Sequence, residues 1–256
     1  MIDLHCHVLP GIDDGPETIE GSMLLARAAS AAGTRTIIAT PHVSARYPND
    51  PATIARLVEE CNERLAAERI AVEVRPGAEI ALLSAAEMAP ERLGAFGVGG
   101  GPWLLIEPPF TPSAGGIDAL LLDILGRGHR VLLAHPERCA AFHRDRAVLE
   151  SVVRAGVLTS ITAGSLVGRF GGEVRRFALG LIRDGLVHNV ASDAHDDSHR
   201  PPGMAAELRR AGLLPLAGWL TSEVPAAILD GGEVPPAPLG VREEIQRRRT
   251  RPWRRG

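Results

Sequence analysis

The sequence predicts an α/β fold built on parallel strands, and three observations predict it. Apolar runs of strand length alternate with amphipathic segments of helix length along most of the chain. The runs are mostly apolar on both faces, as in strands covered by helices on each side. A glycine recurs between a helical segment and the next strand, where a left-handed stop is needed. Periodicity alone leaves a closed β/α barrel and an open doubly wound sheet as alternatives.

In chain order, Met1–Val8 reads as the first strand, and Glu17–Ala32 as a helix with an apolar stripe at Ile19, Met23, Leu24 and Ala28, stopped by Gly33. Thr34–Thr40 is the second strand, Pro51–Glu68 a helix and Ile70–Arg75 the third strand. Gly94–Pro102 is a Gly/Pro-rich loop. Trp103–Glu107 and Arg130–His135 are strands four and five, separated by a helix around Ile117–Arg127. Arg146–Ala155, Gly156 and Val157–Ala163 repeat the helix–Gly–strand order. Glu173–Asp184, Gly185 and Leu186–Ser192 repeat it again and complete seven strands. No low-complexity linker divides the chain. Residues 1–240 are expected to form one domain, the packed body ending near Pro235–Pro238, and residues 241–256 an arginine-rich, disordered tail.

Composition narrows the function. The 256 residues are 45% hydrophobic and 23% charged, ordinary soluble usage, with no apolar run near the roughly 18 residues that span a bilayer and no leader pattern at MIDLHCHV. Three scattered cysteines suit a reducing compartment, so a cytoplasmic location is expected. All 28 basic residues are arginine, which excludes a Walker P-loop and Schiff-base chemistry, both of which need an ε-amine. Residues 245–256 hold six of those arginines and no acid, so the rest of the chain sets 22 bases against 31 acids, a net of −9. The tail is read as solvated, with no specific nucleic-acid partner expected.

The chemistry-bearing side chains fall at strand ends. His5 and His7 close strand one, with Asp13 and Asp14 in the loop after it; His42 follows strand two and Glu79 strand three. Glu107 ends strand four, His135 ends strand five, and Asp193 and His195 follow strand seven. Carboxyl ends of strands are where β/α folds assemble active sites. Residues i and i+2 of a strand share a face, so His5 and His7 can grip one ion while Cys6 points away. Asp13 or Asp14 can instead cap the helix at Glu17, and capping accounts for Asp13; it does not account for histidines at strand ends. Imidazoles mixed with carboxylates, without thiolates, suit Mn, Fe or Zn. About eight ligands are too many for one ion, so two or three divalent ions sharing a carboxylate are expected, a cluster suited to activating water for phosphoryl transfer. Arg138 and Arg200, three and five residues past His135 and His195, can fork onto a phosphate. His129, His143, His188 and His199 fall outside the pattern and read as surface or packing residues.

The segments HCHVLPGIDDGP, ATPH, PGAEI, LIEPPF, AHPER, TAGSLVGRFG and ASDAH, in this order, resemble the polymerase-and-histidinol-phosphatase (PHP) superfamily. More narrowly they are similar to the manganese-dependent bacterial capsule and exopolysaccharide protein-tyrosine phosphatases of the CpsB/YwqE type, from Met1 to about Pro201. The resemblance implies a distorted (β/α)7 barrel. It implies one ion held by His5, His7, Glu79 and Asp193, a second held by Glu79, Glu107 and His135, and a third by Asp14, His42 and His195. Arg138 and Arg200 would bind phosphate, and a metal-bridging hydroxide would attack phosphotyrosine in line. The implied partner is a bacterial polysaccharide-type tyrosine kinase. Two departures stand out: relatives commonly read TPHH where Val43 follows His42 here, and Arg169 replaces a common lysine.

Cysteine-dependent tyrosine phosphatases need Cys-x5-Arg; six residues after Cys6, Cys61 and Cys139 stand Ile12, Ala67 and Asp145. That mechanism is excluded. A PHP phosphoesterase acting on histidinol phosphate or a nucleotide remains the alternative enzyme, and a catalytically silent metal protein that binds the kinase the alternative class.

Overall fold

A computed structural model describes residues 1–110 and 115–238. The arginine-rich tail lies outside the described residues.

Nine strands are described: β1 (Ile2–Cys6), β2 (Thr36–Ala39), β3 (His42–Val43), β4 (Glu73–Pro76), β5 (Glu79–Ala81), β6 (Trp103–Glu107), β7 (Arg130–Ala134), β8 (Leu158–Thr162) and β9 (Asn189–Ala191). They form two parallel sheets, β1-β2-β4 and β3-β5-β6-β7-β8-β9. The fold is thus mixed α/β with parallel sheets.

Where the sequence predicts seven strands, the second and third are shorter than expected and each is followed, after a break, by a further short strand. Pro41 has no N–H to give a ladder, and Thr40 turns toward β1, donating its N–H to Cys6 O at 3.0 Å. In the other strand the break falls at Gly77, where a Cβ would come within 2.7 Å of Ile38 Cγ2. Register survives both breaks: Thr36 faces Glu73 and His42 faces Glu79, an offset of 37 residues in each case. The two short pieces beyond the breaks are the ones that carry His42 and Glu79.

At the other edge, β1 meets the segment after β9. Cys6 and Ala194 form an isolated parallel bridge, His7 N–H bonds Ala194 O at 2.9 Å, and Asp193 N–H bonds His5 O at 2.8 Å. This brings the first and last strand ends together.

Helices cover the sheets. Ile19–Ala31 is capped by Thr18, whose hydroxyl accepts from Gly21 N–H. Its buried face is Ser22, Met23, Leu25, Ala26 and Ala29, so the expected stripe is corrected: Leu24 is exposed and Leu25 takes its place. Pro51–Ala67 starts under an Asp50 cap with Pro at its first turn and buries Ile54, Leu57, Val58, Cys61 and Leu65, a run of helical spacing. The core is made of strand residues buried on both faces, such as Leu4, Cys6, Ile37, Ile38, Leu104, Leu105, Val131 and Leu132. None of the described helices is long and apolar enough to cross a membrane.

Candidate metal centre

The centre begins at the end of β1. His5 and His7 lie on one face, their Nε2 atoms 3.2 Å apart, while Cys6 is buried on the opposite side. Glu79 Oε2 stands 3.2 Å from each of those nitrogens. Three donor atoms with mutual spacings of this size match the ligand-to-ligand edges, about 3.0–3.4 Å, around an ion bound at roughly 2.1 Å.

Asp13 sets the orientation. It does not cap the helix as expected, since Thr18 does; its Oδ2 lies 2.7 Å from His7 Nδ1 and accepts from His42 N–H at 3.0 Å, and its Oδ1 accepts from Gly15 N–H. The bonds to His7 and to those two backbone amides hold Asp13 below its ordinary pKa in spite of burial, so it is ionised. An ionised carboxylate only accepts, so Nδ1 of His7 carries a proton and Nε2 is the nitrogen turned toward the cluster. His195 is fixed alike by its own strand end, Nδ1 donating to Asp193 O at 3.1 Å.

The other strand ends converge on Glu79. Its Oε1 is 2.7 Å from His135 Nε2 and its Oε2 is 3.1 Å from His42 Nδ1. Glu107 reaches His135 Nε2 at 3.7 Å and His42 Nδ1 at 3.8 Å. Asp193 Oδ1 lies 3.5 Å from His5 Nε2 and 3.7 Å from His7 Nε2. Asp14 Oδ1 is 3.4 Å from His42 Nε2 and 3.3 Å from His195 Nε2. Four groups have donor atoms within 4.8 Å of one another: His7, Asp14, His42 and His195; His5, His7 and Asp193; His5, Glu79 and His135; and His42, Glu79 and Glu107. All nine candidate ligands are therefore brought together.

Charge crowding shows in the titration of the site. Glu107 is pushed up to about 8, first by burial and then by the charge of Glu79. His135 is drawn down to about 4 by burial and by Arg138. Glu79 goes the other way, held well below its ordinary value by His5, His135 and His7 in spite of burial, and His7 is raised by its bonds to Asp13 and Glu79.

Both candidate arginines sit on one carboxylate. Arg138 Nη1 bonds Asp193 Oδ2 at 2.7 Å, and Arg200 Nη2 lies 2.7 Å from Asp193 Oδ1. Thr162 Oγ1 also donates to Asp193 Oδ2, at 3.3 Å. Beside them Glu137, buried and pushed up to about 7 by that burial, accepts from Ser165 Oγ at 2.7 Å and Thr162 N–H at 2.9 Å. It ties the turn bearing Arg138 to the segment after β8. Sequence reasoning missed Asp13 and Glu137 as parts of the site; the Asp-Asp pair at 13–14 and the acid inside HPER were the available signals.

The family model for capsular polysaccharide synthesis proteins CpsB/CapC matches residues 1–211. The chain belongs to the CpsB/CapC family. Among its relatives, tyrosine-protein phosphatase YwqE of Bacillus subtilis (strain 168) is 38% identical over 197 residues, 77% of this chain and 78% of YwqE. Tyrosine-protein phosphatase CpsB of Streptococcus pneumoniae is 30% identical over 213 residues, 80% of this chain and 86% of CpsB. A crystal structure from work on B. subtilis YwqE and S. pneumoniae CpsB, described as unique metal-dependent tyrosine phosphatases, superposes with a TM-score of 0.83 at 34% identity, covering 93% of this chain and 99% of that one. Dihydropyrimidinase from Brevibacillus agri, 12% identical with a TM-score of 0.54 over 88% of this chain and 69% of that one, shares the fold alone.

Proposed function

We propose that this member of the CpsB/CapC family is a metal-dependent protein-tyrosine phosphatase, with Mn²⁺ as its ion. One observation carries the reading: nine His, Asp and Glu side chains from separate strand ends meet in one pocket, with two arginines on the carboxylate at its edge. The donor set fits divalent cations. His5, His7, Glu79 and Asp193 would hold one, Glu79, Glu107 and His135 a second, and Asp14, His42 and His195 a third; imidazole with carboxylate and no thiolate suits Mn over a structural zinc site. Bound ions supply Lewis acidity and activation of water at neutral pH.

The chain's own residues do the rest. Asp13 keeps His7 in the tautomer that presents Nε2. Arg138 and Arg200 are the phosphate-binding pair, and their forks match two phosphate oxygens. The tyrosine phenol, with a pKa of about 10, departs more readily than an alkyl alcohol. Capsule and exopolysaccharide synthesis supplies the context in which a tyrosine kinase of the polysaccharide type is the substrate. Two all-parallel sheets of matching register, joined at one edge by the Cys6–Ala194 bridge, support reading the sheets as one distorted (β/α)7 barrel. We read residues 1–240 as one catalytic domain with 241–256 appended to it. Three buried free thiols suit the cytoplasm.

The deciding experiment compares hydrolysis of a phosphotyrosine peptide, histidinol phosphate and a nucleotide by one preparation whose metal content is measured. Preference for the phosphotyrosine peptide is expected; preference for either metabolite overturns the reading.

A further inference from the structure

The chain contains nine aromatic residues (five Phe, three Trp, one Tyr), and three of them border the metal pocket. Tyr47 stacks on His42, with centroids 5.6 Å apart. Phe110 stacks on His135 at 5.5 Å and 16°. The Arg138 guanidinium lies between two rings, 5.0 Å from the Phe110 centroid and 4.5 Å from that of Phe170. Phe96, Phe142, Trp103 and Trp219, by contrast, are buried in the core.

Phe110 is unusual in a second way. It is 46% exposed, the only Phe, Tyr or Trp among the exposed large hydrophobics of the described residues. Its position is nonetheless set by rigid chain. Pro108 and Pro109 stand between it and Glu107, and Pro109 O accepts a bond from Cys139 Sγ at 3.4 Å, beside Arg138. A ring that lies beside a candidate phosphate-binding arginine and is open to solvent has surface to offer a ligand.

The geometry points to Phe110 as the residue that selects aromatic phosphate esters: it offers the ester's ring a stacking surface while Arg138, clamped against it, meets the phosphate. Phe170 acts through Arg138 and is a positioning residue. This inference rests on the phosphatase reading above and adds to it the determinant of aryl over alkyl esters. A stacked aromatic pair alters affinity by roughly two- to tenfold beyond what a smaller apolar residue retains, so Phe110→Leu is the informative change.

The test uses the metal-loaded full chain and its Phe110→Leu and Phe170→Leu variants, each checked for unchanged metal content and melting temperature. Phe110→Leu is expected to lower kcat/KM for a phosphotyrosine peptide roughly three- to tenfold while changing that for the matching phosphoserine peptide less than about twofold. It should weaken inhibition by phenylphosphonate and leave inhibition by inorganic phosphate unchanged. Phe170→Leu should weaken inorganic phosphate inhibition and lower both activities alike. Equal losses on both peptides with Phe110→Leu, or no loss on either, overturn the assignment, as does a change in the aryl-to-alkyl ratio with Phe170→Leu. A wild-type chain that ignores the phosphotyrosine peptide overturns the phosphatase reading itself, an outcome separate from any behaviour of the variants.

Discussion

The two ends of the strands are built to different rules. At the carboxyl ends, His135 and Asp193 hold positive φ angles of 28° and 52°, although neither is glycine. Such backbone costs on the order of 1–3 kcal/mol and persists where surrounding contacts over-determine it. Here those contacts are Glu79 on His135 and two arginines on Asp193. At the amino ends the same left-handed turns fall to residues such as Gly156, at φ +108°, where no side chain resists. The amino end also holds a cavity of about 470 Å³ lined by Leu158, Ile182, His188, Leu216, Trp219 and Val234, with none of the nine candidate ligands in its wall. Among the described residues, two of the three non-glycine positive-φ positions lie where chemistry is expected, and Arg69 is the exception at the opposite end.

The contrast can be broken from either side. Chelation should abolish phosphatase activity and Mn²⁺ should restore it; turnover that persists with no bound metal would remove the carboxyl end's special status. Arg138→Ala should lower kcat/KM on the order of 10²-fold, comparable to losing one transition-state donor, and a loss under about threefold would take it out of the site. Asp13→Asn should weaken metal affinity by roughly 10- to 100-fold, read by calorimetric titration; unchanged affinity would reduce Asp13 to a shaper of the Gly15 turn.

Changes at the amino end should move stability and leave turnover alone. Burial draws His188 down to about 4, below its value of roughly 6.5 in an unfolded chain. The folded state thus refuses a proton that the unfolded state accepts, so this contribution is complete above pH 6.5 and fades as pH falls toward 4. His188→Gln should flatten that limb by about 2 kcal/mol between pH 6.5 and 5, measured by urea unfolding; an unchanged slope would show that His188 is not the group responsible. The smallest effect belongs to Arg69, at φ 55° in the helix-to-strand turn where glycine stands elsewhere. Arg69→Gly should stabilise the fold by about 1 kcal/mol, and a lowered melting temperature would mean that its side chain is needed.

Much of this was legible in the sequence for a simple reason. Strands apolar on both faces announce themselves, and a strand end is a fixed place, so His5, His7, Glu107 and His135 could be located without coordinates. The pieces beyond the breaks were not legible: β3 has two residues and β5 three, too few for any period. Asp13 was hidden because an acid before a helix reads as a cap, and only three dimensions show its oxygen against His7 Nδ1. The helix at 19–31 was turned by one residue since Leu24 and Leu25 are interchangeable in a pattern and not in a packed face. Phe110 and Phe170 stand inside the LIEPPF and TAGSLVGRFG segments that carry the resemblance, but an isolated ring has no spacing from which a role could be read.

The shared offset of 37 residues across both strand breaks has a corollary for sequence variation. His42 and Glu79 are aligned by the ladder itself, while the 44–72 stretch joining them touches the site only near its start, where Tyr47 stacks on His42 and Asn49 Nδ2 donates to His42 O at 2.9 Å. An excursion that keeps those two contacts can vary elsewhere and leave both candidate ligands in line.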